Sequence, residues 1–219
     1  MSIRKKTSDR QSRKRKVRPR PWIVRSRAWI SILIMAPFVA LAVVSVPRVK
    51  EGSVADFVLD LLGWTCFAAG AVFRWWATLY IGGKKGRELA VDGPYSLCRN
   101  PLYLGTFLLT LSIAFYLHSF LLGFGVVLAT PIYLGVTVPW EEQSLRQIFG
   151  ERFENYKRKT PSFLPEFKRF HSPSSIDVNV DGLSAEFQRA LRWMWIPVLA
   201  QSLEQLKHAS WWPAWMILP

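Results

Sequence analysis

The sequence predicts an all-α, polytopic membrane protein, and three observations carry that expectation. Half of the 219 residues are hydrophobic, and many of them lie in long runs without a charge; such runs span bilayers. The runs give about four transmembrane helices, the last two joined as a helical hairpin. The net charge of +14 is concentrated at one end, where 12 Lys/Arg stand against the single acid Asp9 in residues 1–27. Composition excludes other classes. Eleven Trp and 14 Phe are far too many for a disordered chain. Cys66 and Cys98, both in or near apolar segments, offer no disulfide framework.

Residues 1–27 form a basic arm without apolar periodicity, expected as a disordered cytoplasmic tail. The stretch is long and no small-residue cleavage site follows the apolar run, which argues against a secretory signal. As a solvated tail the arm would set topology. It could also hold anionic lipid headgroups, each Lys/Arg being worth about 1 kcal/mol beside a membrane. Nucleic acid is not an expected partner, since no aromatic residue interleaves the charges before Trp22.

Ala28 to Val46 is the first expected span, kinked at Pro37. Val54 to Tyr80 is the second. Asp56 and Asp60 lie near one of its ends and Arg74 near the other, where snorkelling to the interface accounts for the arginine. Ile81 to Asn100 is a polar loop. Pro101 to Leu117 and Phe120 to Pro139 are interrupted only by His118 and Ser119, which predicts a tight hairpin. Glu141 to Lys159 is a polar helix with one apolar stripe, Leu145, Phe149, Phe153 and Tyr156, ended by Pro161 and Pro165. Residues 28–165 thus make the transmembrane domain.

Residues 166–219 begin as a linker, through Gly182. Leu183 to Leu206 is amphipathic, but Pro197 and Glu204 leave too short an apolar core for a span. With Trp211, Trp212 and Trp215 it suits an interfacial or re-entrant element. The positive-inside rule places the arm, the loop bearing Lys84, Lys85, Arg87 and Arg99, and the segment after Pro139 in the cytoplasm. Arg48 and Lys50 are a weak exception on the other face. The two richest polar stretches therefore meet on one side of the membrane.

Familiar site motifs are missing. Gly82 to Gly86 has the wrong spacing for a dinucleotide fingerprint or a P-loop. None of His118, His171 and His208 is spaced with another ligand, so no metal site is expected. No nucleophile elbow occurs. Two polar clusters remain. GPYSLCRNPLYLG (93–105) sits where a helix begins at Pro101, with Asn100 as its cap. Its free backbone N–H groups would attract a carboxylate; alternatively it is a capped helix start with Arg99 at the lipid surface and Tyr95 and Tyr103 as interface anchors. The second cluster, Glu141-Glu142, could be functional or could merely offset a helix dipole at a helix start.

The order of these motifs is specific. GPYSLCRNPLYLG, a hairpin, then EEQSLRQIFGERFENYKRKTPSFLP resembles the isoprenylcysteine carboxyl methyltransferase family and its relatives among the membrane phospholipid methyltransferases, from about Arg87 to Pro165. The resemblance implies methyl transfer from S-adenosylmethionine at the cytoplasmic membrane face, to a lipid-like or isoprenylated acceptor reached from the bilayer. Carboxyl O-methylation is the family's reaction. N-methylation of a lipid amine is the alternative, and a non-catalytic membrane protein binding a partner or anionic lipid through its arm is the rival class. By position, the resemblance assigns the cofactor to Arg87, Glu88, Leu89, Ala90, Tyr95, Asn100, Pro101, Leu102, Tyr103 and Glu141. Glu141 would pair with the ammonium, tyrosine faces would meet the sulfonium, and Arg99 with backbone N–H groups would receive the carboxylate. Arg99 and Glu141 are the implied catalytic residues. Asn100 replaces the family's usual histidine and cannot carry a proton. Thr137 replaces an arginine four residues before Glu141, which leaves Arg99 and Arg146 as candidate cations for an acceptor carboxylate.

Overall fold

The computed structural model describes residues 27–47, 49–82, 88–178, 180–209, 211–212 and 216–218. The arm as far as residue 26, Arg48, Lys84, Lys85, Arg87 and Trp215 lie outside the described residues. The chain is mostly helical. Helix α1 is Arg27–Val44, and a short strand β1, Ser45–Pro47, follows it. Helix α2 is Val54–Ile81, α3 Pro94–Leu97, α4 Pro101–Tyr116, α5 Phe120–Phe149 and α6 Glu151–Lys159. Helices α7, Val180–Trp193, and α8, Trp195–Lys207, lead to strand β2, Met216–Leu218, which pairs in parallel with β1.

Among the described residues two helices, α2 and α5, are long and apolar enough to cross a membrane. At 1.5 Å per residue, α2 is about 42 Å long, more than the hydrocarbon thickness of about 30 Å. Only 17% of its most apolar window is buried, and 28% of that of α5. The exposed surface of these windows carries Phe57, Leu61, Val72, Phe124 and Val127, an apolar surface that water does not tolerate at this extent and lipid does. The residues 29–44 and helix α4 are apolar but shorter.

Helix α2 starts at Ser53, whose hydroxyl accepts the Asp56 N–H at 3.2 Å; Asp56 in the first turn suits the helix dipole. The most extensive helix contact is between α2 and α4. There the backbones meet: a Cβ on Gly70 would lie 2.8 Å from the Gly105 carbonyl oxygen, and one on Gly105 would strike the Arg74 stem at 2.5 Å. Small residues let membrane helices approach in this way. A core cluster of Ala42, Ala114, Tyr116, Leu117, Leu122 and Ala200 joins α1, α4, α5 and α8.

Three readings of the sequence change here. Arg74 does not snorkel. Its guanidinium donates to Glu186 of α7 at 3.0 Å and to Thr106 at 2.6 Å, and lies 4.5 Å over the Trp193 ring. The Glu186 side chain is 2% exposed, and a carboxylate so placed requires its cation. Second, Leu183 to Leu206 is two helices, α7 against α2 and α8 against α4, so this segment docks on the bundle. Third, Glu141 and Glu142 do not begin a helix. Helix α5 continues through Pro139 to Phe149, and the polar stretch to Lys159 is broken in two at Gly150, where φ is +58°.

Candidate active site

The loop before α4 carries most of the predicted residues, and it is held from two sides. The short helix α3 and the helix α4 both begin with proline, Pro94 and Pro101, whose fixed φ suits a first turn. Gly93 has φ +59°, and a Cβ there would enter the Tyr80 ring at 2.4 Å, so neither the backbone nor the space admits another residue. The segment after α6 runs back along this loop. The Arg99 N–H donates to the Pro161 carbonyl at 2.9 Å, Glu166 N–H to Leu97 at 3.0 Å, and Gly93 N–H to His171 at 2.8 Å. The first part of the expected linker is therefore a strap across the site.

Asn100 occupies the N-cap position but makes no side-chain cap; its amide donates to the Ser162 carbonyl at 2.9 Å. The Arg99 guanidinium makes four hydrogen bonds. It donates to Glu142 Oε1 from two nitrogens, at 3.0 and 2.8 Å, and to the carbonyls of Lys157 and Thr160. Lys157 holds the other Glu142 oxygen. This network ties the loop, α5 and α6 together and leaves the Arg99 guanidinium already paired with a carboxylate. Arg146 pairs with Glu154 at the surface, 59% exposed, away from this network.

The Tyr103 hydroxyl donates to Glu141 Oε1 at 2.7 Å and its ring meets Tyr133 edge to face at 5.8 Å. Tyr133, Thr137 and Glu141 are spaced by four along α5 and so share one face. Thr137 is fully buried and its hydroxyl has no hydrogen-bond partner among the described residues; the same holds for the buried Tyr95 hydroxyl. Burial pushes the Tyr95 phenol well above its ordinary range, with Cys98 and the Glu141 carboxylate adding to it. It is a neutral donor at every physiological pH. The Tyr95 carbonyl accepts from Tyr156 at 2.7 Å. Pro101 is buried, and the Leu102 carbonyl accepts from Thr106 at 2.9 Å.

Glu88, Leu89 and Ala90 line a cavity of about 380 Å³ with Tyr80, Asp92 and Arg152. Tyr95, Asn100, Tyr103 and Glu141 are not among its lining residues. The predicted residues thus fall in two places: a loop cavity, and the Tyr103–Glu141 pair at the meeting of α4 and α5. Ser162 and Arg152 have no signal in the sequence, and Glu142 enters it only as the neighbour of Glu141. Only Glu142 had a signal, because adjacent helical residues point about 100° apart and two neighbouring carboxylates cannot serve one partner.

Cys98 offers a pH test of this packing. Burial pushes its thiol from the ordinary 9.0 up to about 11, against the pull of the Asn100 backbone N–H. The folded state therefore keeps a proton that the unfolded chain loses first. The resulting stability is whole below pH 9 and is lost as pH rises toward 11. In detergent, the melting temperature should fall more steeply over this window in the wild type than in Cys98→Ser. Superimposable curves would assign the alkaline loss to other groups, the raised Tyr95 and Tyr156 phenols first among them.

The chain belongs to a family of membrane methyltransferases, the phospholipid methyltransferases, whose sequence profile matches residues 59–152. It is 31% identical over 167 residues to the nickel-cobalt-cadmium resistance protein NccN of Alcaligenes xylosoxydans xylosoxydans, covering 76% of each chain. It is also 35% identical over 91 residues to the methanethiol S-methyltransferase of Crocosphaera subtropica, 40% of this chain and 34% of that one. The protein-S-isoprenylcysteine O-methyltransferase of Xenopus laevis matches at 30% over 120 residues, 50% of this chain and 42% of that one. No solved structure matches the chain significantly.

Proposed function

We propose that the chain is an integral-membrane methyltransferase that draws its methyl group from S-adenosylmethionine and passes it to a lipid-like or lipidated acceptor. The observation that carries this reading is the Glu141 carboxylate, held by Tyr103 at 2.7 Å where α4 and α5 meet. A carboxylate kept in place by a neutral donor suits an ammonium. The buried hydroxyls of Tyr95 and Thr137, without partners among the described residues, suit a polar ligand beside it, since buried polar groups are costly unless hydrogen-bonded. The residues present therefore fit the cofactor. Bound, it supplies an electrophilic methyl on a sulfonium.

Glu141 orients the cofactor's ammonium, Tyr103 fixes Glu141, and the Tyr95 hydroxyl donates. Glu88, Leu89 and Ala90, with Arg152, offer the cofactor's polar ends a second wall; Arg87 belongs to this proposal by position only. Asn100, Pro101 and Leu102 shape the helix start. Water is excluded by the strap from Thr160 to His171. Arg99 positions the loop through Glu142.

The acceptor is reached from the bilayer. Carboxyl O-methylation, as the isoprenylcysteine relatives' names state for them, requires a cation for the acceptor. Thr137 has none, and Arg146 is paired with Glu154. These two observations favour an acceptor without a carboxylate, such as a lipid amine.

Isothermal titration of S-adenosylmethionine into the purified full chain in nanodiscs tests the cofactor. One saturable site is expected, and its absence would sink the proposal. Transfer of labelled methyl to a lipid extract, compared with a prenylcysteine, then separates the acceptor classes. We further propose four spans with the site facing the cytoplasm. Cysteines placed at Ser53 and Ser162 should label from opposite faces; labelling from the same face rejects that topology.

A further inference from the structure

At the far end of α4 from Tyr103, a second cavity of about 540 Å³ opens between the start of α2, the turn from α4 to α5, and α8. Its centre is His118, in the left-handed region with φ +47° and only 5% exposed. Three carboxylates surround the ring. Nδ1 lies 3.5 Å from Asp56 Oδ1 and 3.8 Å from Glu204 Oε1, and Nε2 lies 3.4 Å from Asp60 Oδ1. These separations exceed good hydrogen bonds of about 2.7–3.2 Å. Among the described residues, Nε2 has no hydrogen-bond partner, and neither has the buried Tyr116 hydroxyl on the same cavity wall.

Donor atoms of Asp56, Asp60 and His118 all fall within 4.8 Å of one another. Asp56 and Asp60 are one helical turn apart on α2 and share a face. Ligands about 2.1 Å from a shared ion stand roughly 3.0–3.4 Å apart, from octahedral to tetrahedral geometry. The Nε2 to Asp60 distance matches that spacing. Unneutralised carboxylates this close repel one another, and a divalent cation removes the repulsion. The outer groups have the form of a supporting shell: His208 Nε2 meets Glu204 at 3.1 Å and the Gly52 N–H donates to Asp56 Oδ2 at 2.8 Å. Such partners fix the orientation of ligands.

We propose that Asp56, Asp60 and His118, with Glu204 beside them, bind a divalent transition-metal ion. One imidazole with carboxylates and no thiolate suits zinc, cobalt or nickel. The cluster is separate from the proposed methyltransfer site, and its residues come from segments far apart in sequence, so no spacing motif announces it. The rival explanation is that the imidazole and the carboxylates pair with one another without an ion.

The test uses the full chain, freed of any affinity tag and chelator-treated, with Co²⁺ as the only probe. One equivalent should bind, with visible absorption bands of a coordinated ion. Asp60→Asn should weaken binding at least tenfold. His118→Asn, whose side chain tolerates the left-handed backbone, should remove the bands. Glu51→Gln, on the cavity rim, should change nothing. Absence of saturable binding in the wild type overturns the proposal, as does wild-type affinity in the Asp60 and His118 variants. If His118→Asn does not fold, Asp60→Asn decides alone, because the Asp60 side chain is 41% exposed.

Discussion

Glu141→Gln is expected to abolish S-adenosylmethionine binding while the protein stays folded. The substitution preserves size and the hydrogen bond from Tyr103, and removes only the charge. An ammonium left at a half-buried site without its carboxylate should cost on the order of 3–5 kcal/mol, a loss of at least about 100-fold in affinity. Tyr103→Phe should be milder, about tenfold, since it loosens the carboxylate without neutralising it. Titration calorimetry on both variants, with circular dichroism as the control for folding, reads the difference. Tight binding by Glu141→Gln would take Glu141 out of the site.

Glu142→Leu should act on stability instead. Arg99 and Glu142 are each 13% exposed, so their attraction is little screened. Removing the carboxylate leaves Arg99 and Lys157 facing each other, at a cost of about 3 kcal/mol. For a chain of this size that is a fall of roughly 6–12 °C in melting temperature. The double variant Arg99→Met/Glu142→Leu should recover part of the loss, because it removes both charges. A change under about 1 °C in the single variant would class the network with weak surface pairs and remove the positioning role given to Arg99.

The helices were legible because hydropathy is a sum over many residues, and no single misreading alters it. The grouping of Tyr103 with Glu141 was legible for another reason: two ordered motifs separated by a hairpin can be brought together in few ways. Individual charges were not. Arg74 in an apolar run looks the same whether it reaches lipid headgroups or Glu186, more than a hundred residues later in the chain. The break at Gly150 is one glycine among 13, and nothing in the sequence announces its positive φ. Glu142 was seen beside Glu141 yet given no partner of its own. His118, between two apolar runs, read as a turn residue, and nothing near it in sequence announces Asp56 or Asp60.

The contact of Gly70 with Gly105 also decides how a lipid could reach the site. Two helices that touch main chain to main chain behave as one rigid post, since no side chain between them can swing aside to make room. A doorway for an acylated molecule cannot form along that seam. The α4–α5 seam is different, because there Tyr103 and Tyr133 meet through rings that can rotate. On the proposed function, the ring that would have to move to admit the acceptor is the one whose hydroxyl holds Glu141, so entry of the acceptor and the grip on the cofactor would be mechanically linked.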